Sequence, residues 1–264
     1  MKKITTYLLY LLDYLKFGDF KSIISSVKYL TNKTSHSSDR IIHTSIGTFF
    51  CRKNTNDFQF ANYYYEWGVK KFIRDHINDY TVFIDGGACT GDYSILLAKK
   101  NLRCIAFEPL ALNYNNIVKN LELNNLTGKV QVYQVGLGNE NTQARFNFNP
   151  VNTGASYIDR DNDSANLLSP IRTFDSMLSE LKIGKEEKIL FKLDVEGMEP
   201  QALQGSVDFI RQYPNITFVL EDKHTGQHPI RTILTKTAEF EFGTVDEFNI
   251  YARKTGNFNK SEEV

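Results

Sequence analysis

Residues 81–94, TVFIDGGACTGDYS, constrain this chain more than any other stretch, because an apolar run stops at a carboxylate and breaks into glycines before a helical pattern begins. Thr81 to Ile84 suit a strand buried on both faces, with Asp85 at its carboxyl end. Gly86, Gly87 and Gly91 permit a sharp turn and the close approach of a ligand. A helix is predicted from Ile95 onward. The amino terminus of a helix at such a turn offers unpaired N–H groups to a carboxylate or phosphate.

The runs that follow repeat the theme. Leu102 to Phe107 ends at Glu108, Val130 to Val135 at Gly136, Ile189 to Leu193 at Asp194, and Ile216 to Leu220 at Glu221. Helical stretches, notably Asn113 to Leu123 and Pro200 to Arg211, lie between them. Such alternation predicts an α/β fold with a doubly wound, mostly parallel sheet. In these sheets ligands bind outside the carboxyl ends of the strands, so Asp85, Glu108, Asp194 and Glu221 are expected to point into one crevice. Glu108 follows Asp85 by 23 residues, near the offset at which an acidic side chain meets a ribose, and Pro109 ends its strand. In FKLDVEG, Lys192, Asp194 and Glu196 alternate and would share one face of an extended chain. EDKHTGQH brings Glu221, Asp222, His224 and His228 to the same rim, where a histidine can take a proton near neutral pH. A carboxylate and histidine cluster could alternatively hold a divalent cation, but the spacing matches no specific metal motif and no metal site is assigned. Two short alternating runs around Gly243 predict a closing antiparallel hairpin, and residues 143–175 form an insertion placed to build a substrate-facing loop.

Before this core, ITTYLLYLLDYLKF and Phe20 to Leu30 read as amphipathic helices, with Ile41 to Arg52 as a hairpin around Gly47. Asp13 interrupts the first apolar run, which is shorter than the ~20 residues of a bilayer span. Two readings stand: a helical cap or oligomer contact, and peripheral contact with the inner face of a membrane. A further helix is expected over Asn62 to Ile77. The chain divides into an amino-terminal helical segment, linker and hairpin (1–60) and a main domain (61–264). Its 31 basic and 31 acidic residues give no positive field, which disfavours nucleic acid. Cys51, Cys89 and Cys104, an odd set, suit a reduced, cytoplasmic protein.

The glycine turn has the spacing D-x-G-x-x-x-G, a form found in S-adenosylmethionine-dependent methyltransferases, and lacks the G-x-G-x-x-G of dinucleotide enzymes. With AFEPLALNYNNIVKNLELNN, GAS, RTFDSML, FKLDVEGMEPQALQGS and VLEDKH, it makes the chain resemble the FkbM family of S-adenosylmethionine-dependent methyltransferases over roughly residues 60–225. The resemblance implies a class I methyltransferase (Rossmann-like) fold and O-methylation of a hydroxyl on a sugar, glycan or natural-product acceptor. By position, Asp85, Gly86, Gly87 and Gly91 would hold the methionine part of S-adenosyl-L-methionine, and Glu108, with Pro109 and Gly136 beside it, the ribose side. Asp194 and Glu196 would flank the transferring methyl, with His224 as a further candidate base. Where the family usually has D-V-G-A-N, this chain carries Gly86 and Cys89. The alternatives are a non-catalytic binding or scaffold protein with the same fold and a nicotinamide-dependent sugar enzyme.

Overall fold

The computed structural model describes residues 3–149, 151–155, 157–158, 167–223 and 226–258. Two helices, α1 (Lys3–Lys16) and α2 (Phe20–Asn32), lead into a hairpin of β1 (Arg40–His43) and β2 (Thr48–Cys51). Asp19 caps α2 by accepting from the Ser22 N–H. A single turn, α3 (Asp57–Phe60), precedes α4 (Trp67–His76). The helix expected from Asn62 therefore starts five residues late. Asn62 Oδ1 accepts the Tyr64 N–H, and Glu66 adopts a left-handed φ of 50°, so the chain turns before it coils.

The alternating core follows: β3 (Val82–Gly86), α5 (Asp92–Ala98), β4 (Arg103–Phe107), α6 (Ala111–Leu123) and β5 (Val130–Tyr133). Helix α5 begins at Asp92 instead of Ile95, because Gly91 turns with φ 77° and its carbonyl accepts the Ile95 N–H. The insertion forms a small second sheet from β6 (Gly136–Leu137), β7 (Thr142–Asn147), β8 (Tyr157–Ile158) and β9 (Leu167–Arg172), in the order β6-β9-β7-β8. Then come α7 (Phe174–Leu181), capped by Thr173, and β10 (Ile189–Leu193). One helix was expected over 200–211; two are found, α8 (Glu199–Gln204) and α9 (Val207–Gln212). The break falls at Gly205, where a Cβ would stand 1.9 Å from the Gly138 carbonyl oxygen, so the chain is pinched against the loop after β6. The chain continues through β11 (Ile216–Glu221), α10 (Gln227–Thr237), β12 (Glu239–Thr244) and β13 (Asn249–Gly256), the last two being the expected closing hairpin.

The main sheet has seven strands in the order β12-β13-β11-β10-β3-β4-β5. β3 pairs in parallel with β4 on one side and β10 on the other, so the strand order reverses between β3 and β10. All residues of both strands are buried, as central strands covered on both faces must be. One face carries Phe83, Ile95, Ile117 and Leu190 together with Tyr14 and Phe49 of the amino-terminal segment. The other carries Phe107, Phe174, Phe191, Phe209 and Phe218, with Phe174 meeting Phe209 edge-on at 4.7 Å between centroids.

Asn120 on α6 joins the hairpin to the turn after β3. It is fully buried, accepts the Phe50 N–H (2.8 Å) and donates to the Thr90 carbonyl (3.0 Å). Asn120→Leu strands both backbone groups, at about 1–3 kcal/mol for each. Urea unfolding of that variant is expected to show a loss of about 2–6 kcal/mol.

Candidate active site

An open cleft lies at the carboxyl ends of β3, β4 and β10. Its walls come from the turn after β3 (Gly87, Cys89), the end of β4 (Glu108, Pro109), the loop after β10 (Asp194, Glu196, Met198) and the insertion sheet (Gly136, Phe146, Ile171). Thr153 and Gly154 of the same insertion close one side. This is the rim next to the reversal of strand order, where open α/β sheets bind ligands.

The turn after β3 is drawn tightly onto β4. Gly87 and Ala88 N–H both donate to the Phe107 carbonyl at 3.0 Å, and the Cys89 N–H donates to Glu108 Oε2 at 3.0 Å. These amides are consumed within the protein instead of being offered to a ligand. The glycines likewise serve protein contacts. A Cβ on Gly87 (φ 83°) would stand 1.9 Å from the Asp194 carbonyl oxygen, one on Gly86 would meet Leu193, and one on Gly91 would meet Ile117. Cys89 also sits left-handed, at φ 49°, a conformation in which asparagine is several-fold enriched.

Glu108 is the best-defined polar group of the cleft. Its Oε1 accepts the Leu110 N–H at 3.0 Å and Asn113 Nδ2 at 3.4 Å. A carboxylate has about four acceptor positions, so Oε2, with one donor from Cys89, keeps capacity for another. Burial pushes the Glu108 carboxyl up to about 7, against the two backbone N–H donors that favour its charged form. Beside it, Asn113 donates to the Thr153 carbonyl, and its buried Oδ1 has no hydrogen-bond partner among the described residues. Asn113 is also one of the residues that line the cavity.

Across the cleft the loop after β10 carries a concentration of charge. Lys192 is buried, and its Nζ lies 2.8 Å from Asp194 Oδ2 and over the Tyr93 ring. Burial opposes its positive charge, but Asp194, Glu66 and Asp85 hold it well above the ordinary lysine range. Burial and the neighbouring Asp194 charge raise Glu196 to about 7, with Lys223 opposing. Glu221 rises to about 8 by burial and by the charges of Asp194 and Glu196. Carboxylate oxygens of Asp194, Glu199 and Glu221 come within 4.8 Å of one another, a span that a cation could bridge.

Gly87, Glu108, Pro109, Gly136, Asp194 and Glu196 thus line one cavity. Asp85, Gly86 and Gly91 do not line it. Asp85 is buried behind the turn and accepts from Ser94 Oγ at 2.7 Å, with its carboxyl raised by burial to about 6. Nor do Lys192, Asp194 and Glu196 alternate along a strand. β10 ends at Leu193, and Glu196 turns away with φ 52°. His224 lies outside the described residues. Sequence reasoning missed Asn113 as a site residue and the packing of Thr153 beside it, although both fall within or next to segments already singled out. Asn113 comes from the asparagine-rich α6 stretch, and Thr153 immediately precedes the GAS segment.

The seven-stranded order, with its single antiparallel strand between β11 and β12 and a cavity at the reversal point, defines a class I methyltransferase fold. The methyltransferase FkbM domain model matches residues 85–247, and the chain belongs to that family. It is 27% identical over 151 residues to Methyltransferase 1 of Beauveria bassiana (strain ARSEF 2860), a match covering 49% of this chain and 60% of that protein. The chain thus spans less than two thirds of that relative's length. Among solved structures, methyltransferase FkbM from Methylobacillus flagellatus is 17% identical, with a TM-score of 0.48 over 66% of this chain and 44% of that one. The O-methyltransferase from Bacillus cereus, in complex with SAH, is 12% identical, with a TM-score of 0.40 over 72% of this chain and 80% of that one.

Proposed function

We propose that this chain is an S-adenosylmethionine-dependent O-methyltransferase acting on a hydroxyl of a sugar, glycan or natural-product acceptor, with residues 61–264 as the catalytic unit and the cytoplasm as its compartment. The observation that carries the donor assignment is that Glu108 and Asn113 line one cavity side by side, each with acceptor capacity left over. Two adjacent acceptors suit a ribose diol, and Gly136, Phe146 and Ile171 supply an apolar surface beside them for a ring. S-adenosylmethionine, when bound, supplies an electrophilic methyl on a positively charged sulfur.

The protein's own contribution is positioning and charge. Asp194 and Glu196 place carboxylates on the wall opposite Glu108, where they favour a cation. A sugar hydroxyl is a weak nucleophile at pH 7, and Glu196, held near 7, is tuned to take its proton. Asp194 is bound to Lys192 and keeps that lysine's charge compensated while orienting the loop. Mass spectrometry of candidate saccharides treated with isotopically labelled donor tests the reading. A gain of one labelled methyl on oxygen is expected. Label on nitrogen, or none on any hydroxylated acceptor, contradicts it.

The raised carboxyls also predict a pH dependence. Glu108 and Glu196 titrate near 7 in the folded protein and near 4.5 when unfolded, so between those values the native state holds protons that the unfolded chain has released. Their stabilising contribution is complete below about 4.5 and is lost as pH rises through 7. A cationic donor reverses the preference by favouring the ionised form. From pH 6 to 8 the affinity for S-adenosylmethionine, relative to its product S-adenosylhomocysteine, which lacks the sulfonium charge, is expected to rise about three- to tenfold. Paired titrations at the two pH values check this, and a flat ratio removes Glu196 from the neighbourhood of the sulfonium.

A further inference from the structure

Helix α2 is amphipathic in the reverse sense to a helix on a water-soluble core. Its buried face is Ser22, Ser25, Ser26 and Tyr29, while Phe20, Ile24, Val27 and Leu30 stand between 55% and 65% exposed. Helix α1, joined to it through Gly18, buries Asp13 and Tyr14 and leaves Leu8, Leu12 and Leu15 exposed at helical spacing. Ten of the fourteen large apolar side chains exposed among the described residues fall within the first 41 positions. Water selects the opposite arrangement, with serines out and isoleucine in. An apolar surface of this extent marks a place where something else docks.

Charge identifies the occupant. Residues 1–33 carry six lysines and two aspartates, whereas the rest of the chain carries 25 basic and 29 acidic residues. Both aspartates are engaged internally. Asp13 accepts from the Ser45 N–H and hydroxyl and from the Tyr63 N–H, and Asp19 pairs with Arg40 and caps α2. Lys16, Lys21, Lys28 and Lys33 are exposed on the two helices and their ends. A second copy docked by two-fold symmetry would set this basic rim against itself. An anionic lipid surface complements it. At 14 and 13 residues neither helix reaches the ~20 needed to span a bilayer, and no helix among the described residues is long and apolar enough to cross one. We propose that the α1–α2 hairpin lies in the interface of an anionic bilayer, with its leucine, isoleucine and phenylalanine side chains among the acyl chains and its lysines at the headgroups. This placement is independent of the methyl-transfer reading, and either can fail alone.

Co-sedimentation of the full chain with extruded vesicles tests it. Partition onto phosphatidylcholine vesicles containing phosphatidylglycerol is expected to exceed that onto pure phosphatidylcholine by about tenfold or more, and to weaken in high salt. Ile24→Glu with Val27→Glu should abolish it, and Lys21→Glu with Lys28→Glu should cut it about tenfold or more. All four side chains are exposed, so circular dichroism and the thermal midpoint should stay unchanged in both variants. No partition of the wild type onto anionic vesicles, or equal partition in the variants, overturns the proposal. So does light scattering that shows a dimer which the double glutamate variant dissociates, since the face then belongs to a second copy.

Discussion

Gly87→Ala is expected to destabilise the protein by about 3–5 kcal/mol and to weaken binding of S-adenosylhomocysteine at least a hundredfold. Two effects add at this position. The backbone is left-handed at φ 83°, which costs a residue with a side chain about 1–2 kcal/mol. The new methyl would also stand 1.9 Å from the Asp194 carbonyl oxygen, a backbone atom that moves only if the loop after β10 moves. That displacement carries Asp194 and Glu196 with it, so stability and ligand binding fall together. Gly128 provides the control, since it is left-handed at φ 81° with nothing within 4 Å of its missing Cβ. Gly128→Ala should cost only about 1–2 kcal/mol and leave binding unchanged. Urea unfolding of the two variants measures the difference, and equal losses would remove the loop contact from the explanation.

Glu196→Gln is expected to lower turnover by about 10²–10⁴ while changing affinity for the neutral product less than threefold. The substitution keeps the shape and the left-handed turn but removes the group able to accept a proton near pH 7. The rate should also lose its rise through pH 7. Asp194→Asn differs in kind. It takes the charge from the 2.8 Å partner of buried Lys192 and leaves only Glu66 and Asp85 to compensate that lysine, so a loss of stability accompanies any loss of rate. Single-turnover rates with labelled donor, set beside thermal midpoints, separate the two. Full turnover in Glu196→Gln would assign the proton to another group.

The central strands were readable because a strand buried on both faces must be apolar throughout. β3 and β10 fall within a residue or two of the runs that predicted them, and Glu108 occupies the cavity that its offset from Asp85 implied. Asp85 was misplaced for a local reason. It is the last residue but one of β3, and it faces Ser94 on α5 instead of the cleft. Glu196 was placed on the wrong geometry because the strand stops three residues before it. Asn113 and Thr153 meet through a hydrogen bond spanning 40 residues, a contact that no local pattern encodes. The orientation of α2 was equally hidden. Helical periodicity shows that a helix has two faces, but only the packed structure shows which one it turned inward.

Isothermal titration calorimetry of the wild-type chain with S-adenosylhomocysteine bears most directly on the claim that the cleft at the strand reversal holds the donor. One site of micromolar affinity is expected, weakened about tenfold or more by Glu108→Gln, which takes one of the carboxylate's acceptor oxygens from the cavity wall. No heat of binding at about 1 mM ligand, or binding indifferent to Glu108, would contradict it.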